Sequence, residues 1–200
     1  GEKRFAATIL AVTQAESPVC VLLTNHGEQT YSPALLSLLD NAGYTVVEHF
    51  DLARDPIPES CRLMLSLDPQ TDFSGYLEVS AGTATVSEIA KLDAYLDENN
   101  SFMIFMDPDT PTLPNLEEYL QKWGVEVCRA EDAVGVRENY LVKDTEASLS
   151  SDGQTLIADY VTTGLGGAMT EDMRSITYPA KVVFKNATAL RQSSLYQTQY

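Results

Sequence analysis

The groups in this chain that could do chemistry are two histidines, three cysteines and the acidic residues that close its apolar runs. His26 and Glu28 flank Gly27 directly after the apolar run that starts at Val19. An imidazole and a carboxylate in such a turn stand where open α/β sheets take ligands, in the crevice beyond the carboxyl ends of the strands. The same polar groups also suit simple capping of the helix that follows. Asp68 and Asp107 each end an apolar run immediately before a proline, and Asp109 follows close behind. In a parallel sheet they would reach the edge that carries His26. Carboxylates gathered there hold a metal or act as general acid and base, whereas an Asp-Pro step alone turns the chain. His26, Gly27, Glu28, Asp68 and Asp107 therefore form the candidate ligand or partner site. No catalytic, cofactor-binding or metal-binding set is assigned.

Other chemistries lack their signatures. The turn after Val19 has neither the glycine spacing of a dinucleotide loop nor the Gly-Lys-Ser/Thr of a phosphate loop. A nucleophile on a tight strand-to-helix turn would need GxSxG or GxCxG, and neither occurs. Only His26 and His49 are available as activating bases, and Cys61 precedes a strand instead of following one. Cys20, Cys61 and Cys128 form no CxxC pair, so no zinc or redox motif is present. Asn186-Ala187-Thr188 matches a glycosylation sequon, a pattern short enough to arise by chance, and carries no weight.

The elements that must position these groups follow from periodicity and punctuation. Strands are expected over 5–13, 19–24, 44–50, 62–67 and 125–128. Phe102–Met106, a continuous apolar run, predicts a strand buried on both faces. Ser32-Pro33 is an N-cap with proline at the first helical position, Leu35, Leu36, Leu38 and Leu39 supply an apolar face, and Gly43 stops the helix. Thr85 and Glu88 fit a capping box before a helix with Ile89, Leu92 and Leu96 on one face. Leu116, Tyr119, Leu120 and Trp123 mark another helix, ended by Gly124. This alternation predicts an α/β fold: three layers, a mainly parallel sheet with helices on both faces. Short strands at 140–142, 155–160, 181–184 and 187–190 belong to a loop-rich final third, expected to pack on the same sheet, in which Gly164–Gly167 reads as flexible.

The chain has 200 residues and is 44% hydrophobic, enough for one domain spanning residues 1–200 with a sizeable core. Its formal net charge of −16 disfavours nucleic acid and anionic membrane surfaces as partners. No apolar stretch is long enough to span a bilayer. Gly1 reads as the remnant of an expression tag, and the chain is expected to be an excised part of a longer protein.

The run VCVLLTNHGE, then SPALLSLLDNAGYTVVEHFDL, then a segment with Pro56 and Pro58, resembles the auxiliary component of ABC-type transport systems related to gliding motility. The family's later features have counterparts in Ile57-Pro58, Pro69–Asp72, Leu92–Leu96, Phe102–Pro108, Leu116–Gly124, Tyr178-Pro179-Ala180 and Ala189-Leu190-Arg191. The likeness covers residues 5–191. Asn25 stands where the family often has glycine, and Gly75–Thr85 looks like an insertion. The resemblance implies a flavodoxin-like, glutamine-amidotransferase-like fold without its catalytic cysteine. It implies a non-catalytic domain on the extracytoplasmic side of the cell membrane, tethered by transmembrane helices. Its partner would be an ABC permease or another membrane component, with an unidentified ligand as a further option and no cofactor. The alternatives are a small α/β hydrolase of the amidotransferase-like group and a structural spacer.

Overall fold

The structure, a computed structural model, describes residue 9 and residues 16–75, 87–131 and 137–195. The expected strand at 5–13 and most of the insertion after Gly75 lie outside the described residues. The chain divides into two compact units, residues 1–126 with 191–200, and residues 127–190.

The first unit is built on four parallel strands. These are β1 (Val19–Leu23), β2 (Thr45–Phe50), β3 (Cys61–Leu67) and β4 (Ser101–Phe105), in the order β2-β1-β3-β4. Among the described residues these are accompanied by the helices α1 (Pro33–Asn41), α2 (Glu88–Asp97) and α3 (Pro114–Lys122). The α/β expectation is met. The strand order is that of a doubly wound sheet, and the chain reverses direction across the sheet between β1 and β3.

Alternation along the strands builds the layers. Val21, Leu23 and Met64 pack with Ile89, Leu92 and Tyr95 of α2 and with Leu116 and Tyr119 of α3. Cys20, Leu22 and Leu65 pack on the other face with Leu35, Leu36 and Leu39 of α1. Cys61 breaks the alternation by joining Met64's face. A register shift explains it: Val19 pairs with Cys61 while Cys20 pairs with Leu63, so Arg62 is the extra residue of a bulge.

Each helix is bounded by identifiable chemistry. Ser32 Oγ accepts from Leu35 N at 3.2 Å, and Gly43, at φ 87°, carries the chain out of α1. At α2 the capping differs from the expected box. Ser87 is the N-cap, accepting from Ala90 N at 3.2 Å, while the Glu88 carboxylate turns away from its own helix. The α3 N-terminus has no side-chain cap of its own. Asp72, in the loop after β3, accepts from Asn115 N at 2.8 Å and Leu116 N at 3.2 Å, so a remote carboxylate satisfies those orphan donors.

β4 corrects the expectation of a strand buried on both faces. Its burial alternates, with Met103 and Phe105 exposed, because it is an edge strand among the described residues. A continuous apolar run does not distinguish the two cases.

In the second unit, β6 (Arg129–Glu131) pairs antiparallel with β7 (Arg137–Asn139), and β8 (Thr155–Ala158) with β9 (Val182–Lys185). β5 (Val125–Val127) and β10 (Leu190–Gln192), at the boundaries of the units, pair with each other. Among the described residues these late strands pair among themselves, and none joins the four-stranded sheet. The glycine-rich stretch expected to be flexible opens a helix, α4 (Gly164–Ser175).

Leu92 is fully buried and Leu38 is mostly exposed. Leu92→Ala is therefore expected to cost about 2–5 kcal/mol of stability in urea denaturation. Leu38→Ala is expected to change stability by less than about 0.5 kcal/mol.

Candidate functional site

β1 ends at Leu23, and the chain turns at once into Asn25-His26-Gly27-Glu28. Gly27 sits at φ 77°, and a Cβ there would lie 3.3 Å from the Gln70 side chain. Both facts require glycine: the left-handed backbone disfavours other residues, and the loop after β3 approaches too closely. The two loops are stitched by Gln70 N and Thr71 N donating to His26 O at 2.8 and 3.0 Å, and by Gln29 N donating to Leu67 O at 2.8 Å.

This closure folds the His26 side chain inward, to 2% exposure. Its Nδ1 lies 3.3 Å from Glu28 Oε1 and its Nε2 lies 3.1 Å from Glu88 Oε1. One face of the ring stacks on Phe73, with centroids 3.8 Å apart and planes 14° from parallel. The carboxylates are themselves anchored. Glu28 accepts from His26 N at 2.8 Å and from Ser66 Oγ at 3.2 Å. Glu88 accepts from Asn25 Nδ2 at 2.7 Å and from Ser74 N at 2.8 Å. Asn25 also accepts from Leu52 N at 3.2 Å, so this residue ties three segments together.

Burial by itself pushes the His26 pKa down. The hydrogen bonds and negative charges of Glu28 and Glu88 outweigh it and raise the value to about 9. Burial likewise works against ionisation of Glu88, but His26, Ser74 N and Asn25 hold it down at about 2. Glu28 is lowered as well, its bonds to His26 overcoming burial. The group is thus an imidazolium between two carboxylates near neutral pH. The raised pKa favours the protonated ring near neutral pH, and in that form both nitrogens donate and neither has a lone pair with which to accept a proton. A cation against the Phe73 ring face adds to its stability.

The other expected site residues separate. Asp68 is buried, at φ 54°. Its carboxylate accepts from Gln29 Nε2 at 2.7 Å and from Thr110 Oγ1, and its N–H donates to Phe105 O at 2.7 Å. These bonds hold a strained pre-proline backbone and join the ends of β3 and β4. Asp107 is exposed and turns its own loop, accepting from Asp109 N at 3.3 Å. The carboxyl edge of the sheet therefore brings His26 and Glu28 into contact and leaves Asp68 and Asp107 in other networks. Among the described residues, no group of three or more His, Cys, Asp or Glu side chains is arranged to hold a metal ion.

Asn25, Ser66, Phe73 and Glu88 belong to the His26 cluster and were not placed in the candidate site from the sequence. Glu88 had a visible signal, an acid in the first turn of a helix, but that signal pointed to a capping box. A groove of about 300 Å³ lies at the opposite, amino edge of the sheet, beside Pro58, Tyr95 and Asn100. Another of about 240 Å³ opens beside Gly75, Ile89, Asn115 and Tyr119. Neither is lined by His26, Glu28, Asp68 or Asp107.

No protein-family model, curated protein or solved structure matches the chain.

The clamp makes stability depend on pH in a defined sense. His26 is raised from 6.5 to about 9, so its contribution is complete below pH 6.5 and is lost as pH rises through about 9. Glu88 is lowered from 4.5 to about 2, so its contribution is complete above pH 4.5 and is lost as pH falls through about 2. Chemical denaturation across this range is expected to show a maximum between pH 4.5 and 6.5 and an alkaline decline on the order of a few kcal/mol. A titration of the His26 ring followed by NMR should have its midpoint near 9. His26→Ala leaves two buried carboxylates facing each other and is expected to cost about 3–5 kcal/mol.

Proposed function

We propose that this chain is a non-catalytic, extracytoplasmic interaction domain of an ABC-transporter accessory protein, docking on a permease or another membrane component. The ordered run of motifs from Val19 to Gly124 supports the family reading, and a doubly wound sheet agrees with it.

The observation that carries the non-catalytic part is the state of His26. Both of its nitrogens face carboxylates and its pKa is raised to about 9, so it is a poor general base at neutral pH. His49 is exposed on the edge strand β2. Cys20 and Cys61 are buried, and burial pushes both thiols up, Cys20 to about 12. A nucleophilic cysteine needs the opposite shift. The loops after β1 and β3 are bonded to each other and the Glu28 carboxylate is turned inward, so this edge, with Asp107 exposed on it, is suited to presenting a closed surface more than to enclosing a reacting molecule.

The complete reading frame and its gene neighbours test the proposal. Flanking membrane-spanning segments, an adjacent ATPase and a permease are expected, and the co-expressed permease should co-purify with the tagged full-length protein in detergent. A full frame with no membrane segment, together with a permease that does not co-purify, overturns the reading. Ammonia release from glutamine or ester hydrolysis that disappears in Cys61→Ser would instead establish the hydrolase alternative.

A further inference from the structure

The groove at the amino edge of the sheet runs along one face of α2. Lys91, Tyr95 and Glu98 follow one another at helical spacing and line it together. Ile57, Pro58 and Glu59, from the chain between β2 and β3, line it as well. With Ala94 and the Tyr95 ring, Ile57 and Pro58 give the groove an apolar lining within a volume of about 300 Å³.

Most polar groups around this lining are already engaged. Tyr95 Oη donates to Ser101 O at 3.1 Å. Lys91 Nζ donates to Leu52 O at 2.7 Å, Ala53 O at 3.2 Å and Asp55 O at 3.3 Å, which occupies all three of its protons. Asn100 Nδ2 donates to Tyr95 O at 3.1 Å, and Asn100 Oδ1 accepts from Arg62 Nη1 at 3.1 Å. Glu59 and Glu98 differ. Both are exposed, and neither carboxylate has a hydrogen-bond or ion-pair partner among the described residues. Glu98 is the C-cap of α2, whose last turn holds no basic residue, so the partial negative charge of the helix end adds to that of the two acids.

We propose that this groove takes a lysine or arginine side chain from a basic segment of a partner protein. The methylene stem lies on Ile57, Pro58 and Tyr95, and the cation meets Glu59 and Glu98. Charge complementarity selects this occupant. A neutral or acidic segment would desolvate two carboxylates and give them no partner. The volume stands at the lower limit of pockets that enclose a whole small molecule, and Ala94 in the lining is exposed. Both facts suit one long side chain entering from a partner's surface. Any protein with such a segment qualifies, so the role of the groove stands apart from the permease reading.

Amide NMR of the full chain, titrated with the tripeptide acetyl-leucyl-lysyl-leucinamide, tests the proposal. Saturable shifts are expected at Glu59, Ala94, Glu98 and Asn100, with a dissociation constant in the millimolar range. Combining Glu59→Gln with Glu98→Gln is expected to weaken binding about five- to tenfold, and so is replacing the peptide's lysine by uncharged norleucine. Both glutamates are exposed, and unchanged signals elsewhere in the spectrum verify that the variant is folded. Asp40→Asn removes an exposed acid from α1 and is expected to leave binding unchanged, which separates the groove from the general negative charge of the chain. The proposal is overturned by the absence of saturable shifts at these amides, by a norleucine peptide that binds as tightly, or by Asp40→Asn weakening binding as much as the glutamate pair does. Butylammonium that binds as tightly as the tripeptide overturns the partner-protein reading and assigns the groove to small free amines.

Discussion

A protonated imidazole held out of water between two carboxylates joins three segments that the sheet alone would leave loose. His26 belongs to the loop after β1, Ser66 and Phe73 belong to β3 and the loop after it, and Glu88 opens α2. Removing the imidazole would leave two buried carboxylates without their common counter-ion. The surrounding donors matter as much as the ions. Asn25 Nδ2, Ser74 N, Ser66 Oγ and His26 N occupy carboxylate lone pairs that burial would otherwise leave unsatisfied. The loops that in related architectures open onto a ligand are here sewn together by their own backbones.

That closure changes what the switch point of the sheet is for. In doubly wound folds the reversal between β1 and β3 creates a crevice, and ligand specificity comes from polar groups at its rim. In this chain the polar groups at that place turn inward and satisfy one another. The acidic residues that face water, such as Asp107, serve local turns.

The residues of the second unit obey different rules. Its strands are paired two by two, an arrangement that is marginal without further packing. α4 leaves its apolar stripe in water. Such elements acquire stability from whatever covers them, so their sequences need not show strong local propensity. Gly167 has its own packing reason, since a Cβ there would lie 2.6 Å from the Thr162 carbonyl carbon.

Much of the first unit was legible from local patterns because its physics is local. Ser32-Pro33 and Gly43 bound α1 through capping and backbone preference within a few residues, and Leu92 and Leu116 lie on helical faces whose period is visible in the chain. The placement of His26 and Asp68 at strand ends followed from the same alternation of elements. What the chain could not disclose depended on which distant residues meet. Glu88 reads locally as a capping acid, and only the packing of α2 beside β1 brings it to a histidine more than sixty positions away. The apolar run Phe102–Phe105 reads as a doubly buried strand, and only the strand order makes it an edge with Met103 and Phe105 exposed. Residue types and spacing determined the elements and their ends. Burial, pairing and protonation state were decided by tertiary structure, because desolvation and Coulomb interaction act through space.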